Sequence, residues 1–162
     1  MKTKILFNVA KGAVLPTRHE GENAGFDLYA FGEEDIYINE FDTKMIPTGL
    51  RSVIEDGYYA QLFERGSTGS IGMKYSAGVV DSSYRGEWNV FITNCNSKPI
   101  LITDKVEKTE IHDNIIMYPK SKGIAQFVVL PVPKVEIEEV DFETIMSYKS
   151  NRMEGKIGSS GK

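Results

Sequence analysis

Short stretches in which apolar residues recur or alternate are spaced along the chain by turn residues. Lys4 to Val9 is the first, and Ile36-Tyr37-Ile38 follows an acidic turn at Glu33-Glu34-Asp35. Lys44 to Pro47 and Leu50 to Ile54 come next, divided by Thr48-Gly49. Asp56-Gly57 is a hairpin turn signal, after which Tyr58 to Phe63 resumes the pattern. Trp88 to Thr93, Ile100 to Thr103, Asn114 to Met117 and Ile124 to Val132 complete the set. Many strands at short spacing, with no long helical periodicity, predict an all-β barrel or sandwich such as a jelly roll. Short helices are expected after Ser67 and from Asp141 to Tyr148, and neither would carry the architecture.

At 162 residues the chain is long enough for one domain with its own core, taken here as residues 1–150. A hydrophobic content of 41% with 26% charged residues is ordinary for a globular protein. The net charge of −4 argues against general nucleic-acid binding, though local arginines and a metal can still hold a small polyanion. No apolar run reaches the length of a membrane span. The opening Met1 to Asn8 has too short an apolar stretch for a signal peptide and reads as a first strand. Cys95 is the single cysteine, so no intrachain disulfide forms, and a reducing, cytoplasmic compartment is expected. Residues 104–122 are charged and irregular, an elaborated loop or hairpin. They read first as a solvated excursion and second as a surface for a protein partner. The tail 151–162 holds an arginine, three glycines and two serines, the composition of a disordered end or of a phosphate-wrapping loop.

The densest candidate chemistry runs from Arg65 to Val90. In Arg65-Gly66-Ser67-Thr68-Gly69-Ser70 the glycines let backbone amides approach an anion, hydroxyls add donors, and arginine offers a planar fork to phosphate oxygens. The loop lacks Gly-Lys-Ser/Thr and is no P-loop. Asp81 ends the apolar run Ala77 to Val80, at the rim of an expected buried strand, as a turn cap or as a base poised to accept a proton from water. Tyr84 is core packing or a flat wall against a sugar ring. Asp27 caps a turn or lies beneath the phosphate site. Gln126, in an apolar strand, is a satisfied core amide or a phosphate or metal-water contact. His19 and His112 have no zinc spacing. Magnesium, which uses substrate phosphates and waters, is compatible with the residues present.

Five segments resemble, in order, the motifs of the trimeric dUTPase family: AGFDLYA (24–30), ERGSTG (64–69), AGVVDSSYRGEW (77–88), GIAQFVVLP (123–131) and the tail 152–161. The resemblance implies a β jelly roll, or distorted barrel, assembled as a homotrimer with sites between subunits. It implies Mg²⁺-dependent hydrolysis of dUTP to dUMP and pyrophosphate, which supplies dUMP and keeps uracil out of DNA. Asp81 would activate the water that attacks the α-phosphorus, and Tyr84 would lie beneath the deoxyribose. The backbone around Gly78, Val79 and Val80 would read the uracil edge. Arg65, Gly66, Ser67 and Gln126 match phosphate-site positions, and Asp27 supports them. No residue would bind the metal directly; Mg²⁺ would be held through phosphates and waters, with Gln126 and Asp27 nearby. Arg152, Ile157, Gly158, Ser159 and Ser160 match an arm that closes over the nucleotide of a neighbouring subunit.

Three positions depart from the family pattern. Gly66 stands where serine is usual, Gly123 where a basic residue often precedes Ile-Ala-Gln, and Ile157 where the tail usually carries phenylalanine. An aliphatic side chain covers a base but cannot stack on it as a ring does, so a looser lid is expected. Two alternatives stand beside hydrolysis. A dCTP deaminase of the same fold would need a glutamate on the strand after the turn, where Trp88 to Asn94 has none. A nucleotide-responsive binder would use residues 104–122.

Overall fold

The computed structural model describes residues 3–150. The chain divides into two compact units, Met1–Val132 and Pro133–Lys162. Among the described residues all the strands belong to the first, in four small sheets. β1 (Ile5–Val9) pairs with β5 (Leu50–Ile54). A second sheet runs β2 (Phe26–Leu28), β13 (Ala125–Pro131), β6 (Tyr58–Phe63) and β8 (Val79–Asp81). A third runs β4 (Thr43–Pro47), β9 (Asn89–Asn94) and β7 (Met73–Tyr75). The fourth runs β11 (Glu110–His112), β12 (Ile115–Pro119), β10 (Ile100–Thr103) and β3 (Ile36–Ile38). Every pairing is antiparallel except β10 with β12. The all-β expectation holds: the sheets form a jelly roll, without joining into one closed ladder among the described residues.

Period-two patterning accounts for the longer strands. In β5, Leu50, Ser52 and Ile54 are buried while Arg51 and Val53 face out. In β9, Val90, Ile92 and Asn94 turn inward. Asn94 is polar and fully buried, so its amide must be satisfied. It donates to the carbonyls of Ile38, Asn39 and Lys98 at 3.3, 3.0 and 2.9 Å. The core centres on Trp88, whose ring meets Phe7 at 5.3 Å and Phe127 at 5.1 Å edge to face. Its indole N–H donates to Ser52 Oγ at 3.1 Å.

Phe127 also stacks on Phe26 at 5.3 Å. These two rings are directly paired across β13 and β2, and so are Gln126 and Asp27. Alternation therefore sends the aromatic pair into the core and the polar pair to the opposite face.

The structure corrects the expectation of a buried strand at Ala77 to Val80. β8 is the outermost strand of its sheet, and Val79 is 60% exposed. Residues 104–122 build a hairpin, β11–β12, whose turn at Asp113-Asn114 has left-handed φ values of 48° and 65° at both corners. That is the backbone a two-residue hairpin turn needs. After β12, buried Lys120 donates to the carbonyls of Gly32 and Glu33 at 3.0 and 3.2 Å and stands 3.5 Å from Asp104. This anchors the chain just ahead of Gly123.

In the second unit, a run without helix or strand leads to the helix α1 (Phe142–Ser147). The Asp141 side chain caps it by accepting from Thr144 N at 2.7 Å, and those hydrogen bonds hold the carboxyl below its usual range.

Candidate functional site

The expected site residues among those described fall into two clefts of the first unit. The first, about 510 Å³, is lined by Asp27, Arg65, Gly66, Ser67 and Gln126, with His19 at its side. β2 and β13 bring Asp27 and Gln126 side by side, and Arg65 follows two residues after Phe63, the β6 partner of Gln126. The one-turn helix Gly66–Gly69 starts there, closed by Thr68, whose buried hydroxyl accepts from Arg65 N and donates to Arg65 O, both at 3.0 Å. A short helix was expected at this place.

Arg65 is held on one side only. Its Nε donates to Asp27 Oδ1 at 2.7 Å, and its Nη1 to Gly123 O at 3.0 Å and Ser67 Oγ at 3.3 Å. Nη2 has no hydrogen-bond partner among the described residues. Asp27 is 6% exposed, so the pair orients the guanidinium and leaves one edge for an external anion. Gln126 Nε2 donates to Glu64 O at 2.8 Å, which fixes the amide and turns its Oε1 towards Gly25. A Cβ on Gly25 would come within 2.3 Å of that oxygen, so a larger residue there would have to displace the Gln126 amide.

Gly123, noted above as a departure, has a physical reason in this chain. A Cβ there would lie 3.0 Å from Cβ and Cγ of Asp27 and 3.2 Å from Cδ of Arg65. Its carbonyl also accepts from the buried hydroxyl of Tyr118 at 2.7 Å. Burial raises the Tyr118 phenol above its usual value, which keeps the donor proton in place. Lys122, next to Gly123, lines the adjoining cleft with His19 and Ser121. Gly123→Ala is expected to cost about 1–3 kcal/mol, because the Asp27–Arg65 pair must be pushed aside. Denaturant unfolding checks this, and an unchanged midpoint contradicts it.

The second cleft, about 240 Å³, is lined by Gly78 to Asp81 with Tyr75, Tyr84 and Glu87. The Asp81 carboxylate is exposed and makes no hydrogen bond or ion pair among the described residues. It caps nothing; only its backbone carbonyl is engaged, accepting from Tyr84 N at 3.1 Å. The other acidic groups here are restrained. Glu87 Oε1 accepts from Gly49 N at 2.9 Å, and burial pushes the Tyr75 phenol up to about 12. Tyr84 donates to Glu87 O at 3.0 Å, and its ring lies so close to Gly86 that a Cβ there would meet Tyr84 Cζ at 2.5 Å. The ring is thus backed by glycine backbone and by its own hydrogen bond.

Within one chain the two clefts are apart. Asp81 pairs with Tyr59 on β6, and Arg65 is six residues further along an extended chain, about 20 Å away at about 3.3 Å per residue. The tail positions Arg152, Ile157, Gly158, Ser159 and Ser160 lie outside the described residues. The sequence reading passed over His19, whose Nε2 is 3.9 Å from Asp27 Oδ2 and which borders both the first cleft and its neighbour. Histidine spacing gives no sign of it, and its place in a cleft depends on the isolated bridge between Thr17 and Asp27.

Comparison with known proteins places the whole chain in a family. The family model described as dUTPase matches residues 11–109. The deoxyuridine 5'-triphosphate nucleotidohydrolase of Nautilia profundicola is 33% identical over 165 residues, covering 100% of both chains. That of Anaplasma marginale is 31% identical over 165 residues, covering 99% of both. A point mutant of the Staphylococcus bacteriophage 80alpha dUTPase, solved with dUpNHpp, has a similar fold. Its TM-score is 0.75 at 24% identity, over 98% of this chain and 99% of that one. With its fold, its motif order and relatives matched end to end, this chain belongs to the dUTPase family.

Proposed function

We propose that this chain hydrolyses dUTP to dUMP and pyrophosphate, with water activated by Asp81 attacking the α-phosphorus at a site completed between copies of the chain. The observation that carries the reading is the state of Asp81: an unpaired, solvent-facing carboxylate at the mouth of a cleft backed by Tyr84. A base must reach its water and, through it, the phosphorus. The arginine that grips the same triphosphate must touch one of its oxygens. A backbone separation of about 20 Å, with the two side chains in different clefts, supports a homotrimer in which one chain's Asp81 meets another's Arg65.

In this mechanism the free edge of Arg65 and the hydroxyl of Ser67 hold the phosphates, and Gln126 completes the cleft. Asp27 keeps Arg65 aimed. Oxygen donors at Asp27 and Gln126, in a cleft without a cluster of three metal-ligating side chains among the described residues, suit Mg²⁺ held largely by phosphate and water. Bound there, Mg²⁺ would supply charge neutralisation on the triphosphate. Backbone groups of the edge strand β8 read the base. Tyr84, packed close to Gly86 and tied to Glu87 O, would crowd a 2′-hydroxyl. Overpacking of that kind costs about 1–3 kcal/mol, enough to separate deoxyribose from ribose. The tail from Arg152 would close over the bound nucleotide and exclude water. The exposed thiol of Cys95, outside any disulfide among the described residues, is in keeping with a reducing, cytoplasmic location.

A nucleotide panel with Mg²⁺ tests the reading. Pyrophosphate is expected from dUTP, with little turnover of dCTP, dTTP or UTP. Equal turnover of UTP would remove the role of Tyr84, and ammonia released from dCTP would make the chain a deaminase.

A further inference from the structure

We infer that Gln61 is a positioning residue of the base pocket, setting the Gly78 peptide so that its N–H remains available to a carbonyl oxygen of the pyrimidine. The inference rests on reading the second cleft as the base site. β6 and β8 pair Gln61 with Val79, so the next rung of the ladder joins Leu62 to Gly78. In a regular antiparallel ladder such a pair exchanges two hydrogen bonds. Here only one is made: Leu62 N donates to Gly78 O at 2.8 Å. The place of the other is taken by the Gln61 side chain. Its Nε2 donates to Gly78 O at 3.0 Å and to Leu62 O at 3.3 Å.

Two consequences follow from this wedge. The carbonyl of Leu62 is satisfied by a side chain, and the Gly78 N–H has no hydrogen-bond partner among the described residues. An unpaired backbone donor is costly unless something outside the protein fills it, and Gly78 lines the cleft. The amide orientation is not arbitrary, since turning it over would set its oxygen against two carbonyl oxygens. Gly78 must also be glycine for the wedge to fit, because a Cβ there would stand 2.7 Å from Gln61 Nε2. Gln61 itself does not line the cleft, so it acts through Gly78 and not by touching substrate.

Gln61→Leu keeps the bulk of the side chain and removes the donor, which frees the Gly78 N–H to close on Leu62 O and complete the rung. The expected result is a rise of about tenfold in KM for dUTP, the worth of one hydrogen bond, with kcat almost unchanged. Inhibition by tripolyphosphate, which never enters the base pocket, should stay the same. Gln61→Arg, which again offers N–H groups to both carbonyls, should restore KM. In the unaltered protein, titration with dUMP should move the Gly78 amide proton resonance downfield, a readout that depends on no variant folding. A normal KM in Gln61→Leu, a parallel loss of tripolyphosphate binding, or a Gly78 resonance that dUMP leaves in place would overturn the role of Gln61. Failure of the unaltered chain to turn over dUTP would instead overturn the assignment of the pocket.

Discussion

Asp81→Asn lowers turnover of dUTP by roughly 10²- to 10⁴-fold and leaves nucleotide binding intact. Asparagine has the size of aspartate but cannot accept a proton from the attacking water. The fold gives little reason for any other effect, because the carboxylate is exposed and holds no hydrogen bond or ion pair among the described residues. The remaining acidic groups of the cleft cannot take over easily. Glu87 is tied to Gly49 N, and Tyr75 keeps its proton to about pH 12. Single-turnover rates and equilibrium binding of a non-hydrolysable analogue separate the two effects. Near-normal turnover would mean that another group activates the water. A matched loss of affinity would mean that Asp81 holds the substrate and does no proton transfer.

Much of this arrangement was legible in the chain itself, and the gaps have identifiable causes. Strands such as β5 and β9 were readable because five or six residues give period-two alternation room to register. β2 and β7 have three residues each, and neither stands out as the apolar Ile36-Tyr37-Ile38 of β3 does: β2 centres on the charged Asp27 and β7 on Lys74. The apolar run ending at Asp81 reads as buried because hydrophobicity does not tell an edge strand from a central one. That depends on the partner it lacks. Distances across the site were hidden for the same reason. Arg65 and Asp81 are 16 positions apart in sequence, and only the register of β6 against β8 sets them about 20 Å apart. The glycine at 123 was visible only as an exception until the side chains of Asp27 and Arg65 were seen filling the space beside it.

That register leads to the second large effect. A chain carrying Asp81→Asn and a chain carrying Asp27→Asn with Arg65→Gln should each be nearly inactive alone, and active when co-refolded. Changing Asp27 with Arg65 matters, because Asp27 is 6% exposed and would be left as a buried, unpaired carboxylate. If sites are completed between copies, as proposed, a working site of a mixed trimer needs Asp81 from one subunit and the Asp27–Arg65 pair from another. With random assembly from equal amounts, each requirement is met about half the time, so about a quarter of the wild-type activity should return. The two lesions lie in different clefts, so they do not compete for the same contacts. If one chain built a whole site by itself, every site in the mixture would carry a lesion and no activity would return. Pyrophosphate release from the mixture against the two parents therefore decides whether the distance between β8 and the Arg65 loop is bridged by a second copy.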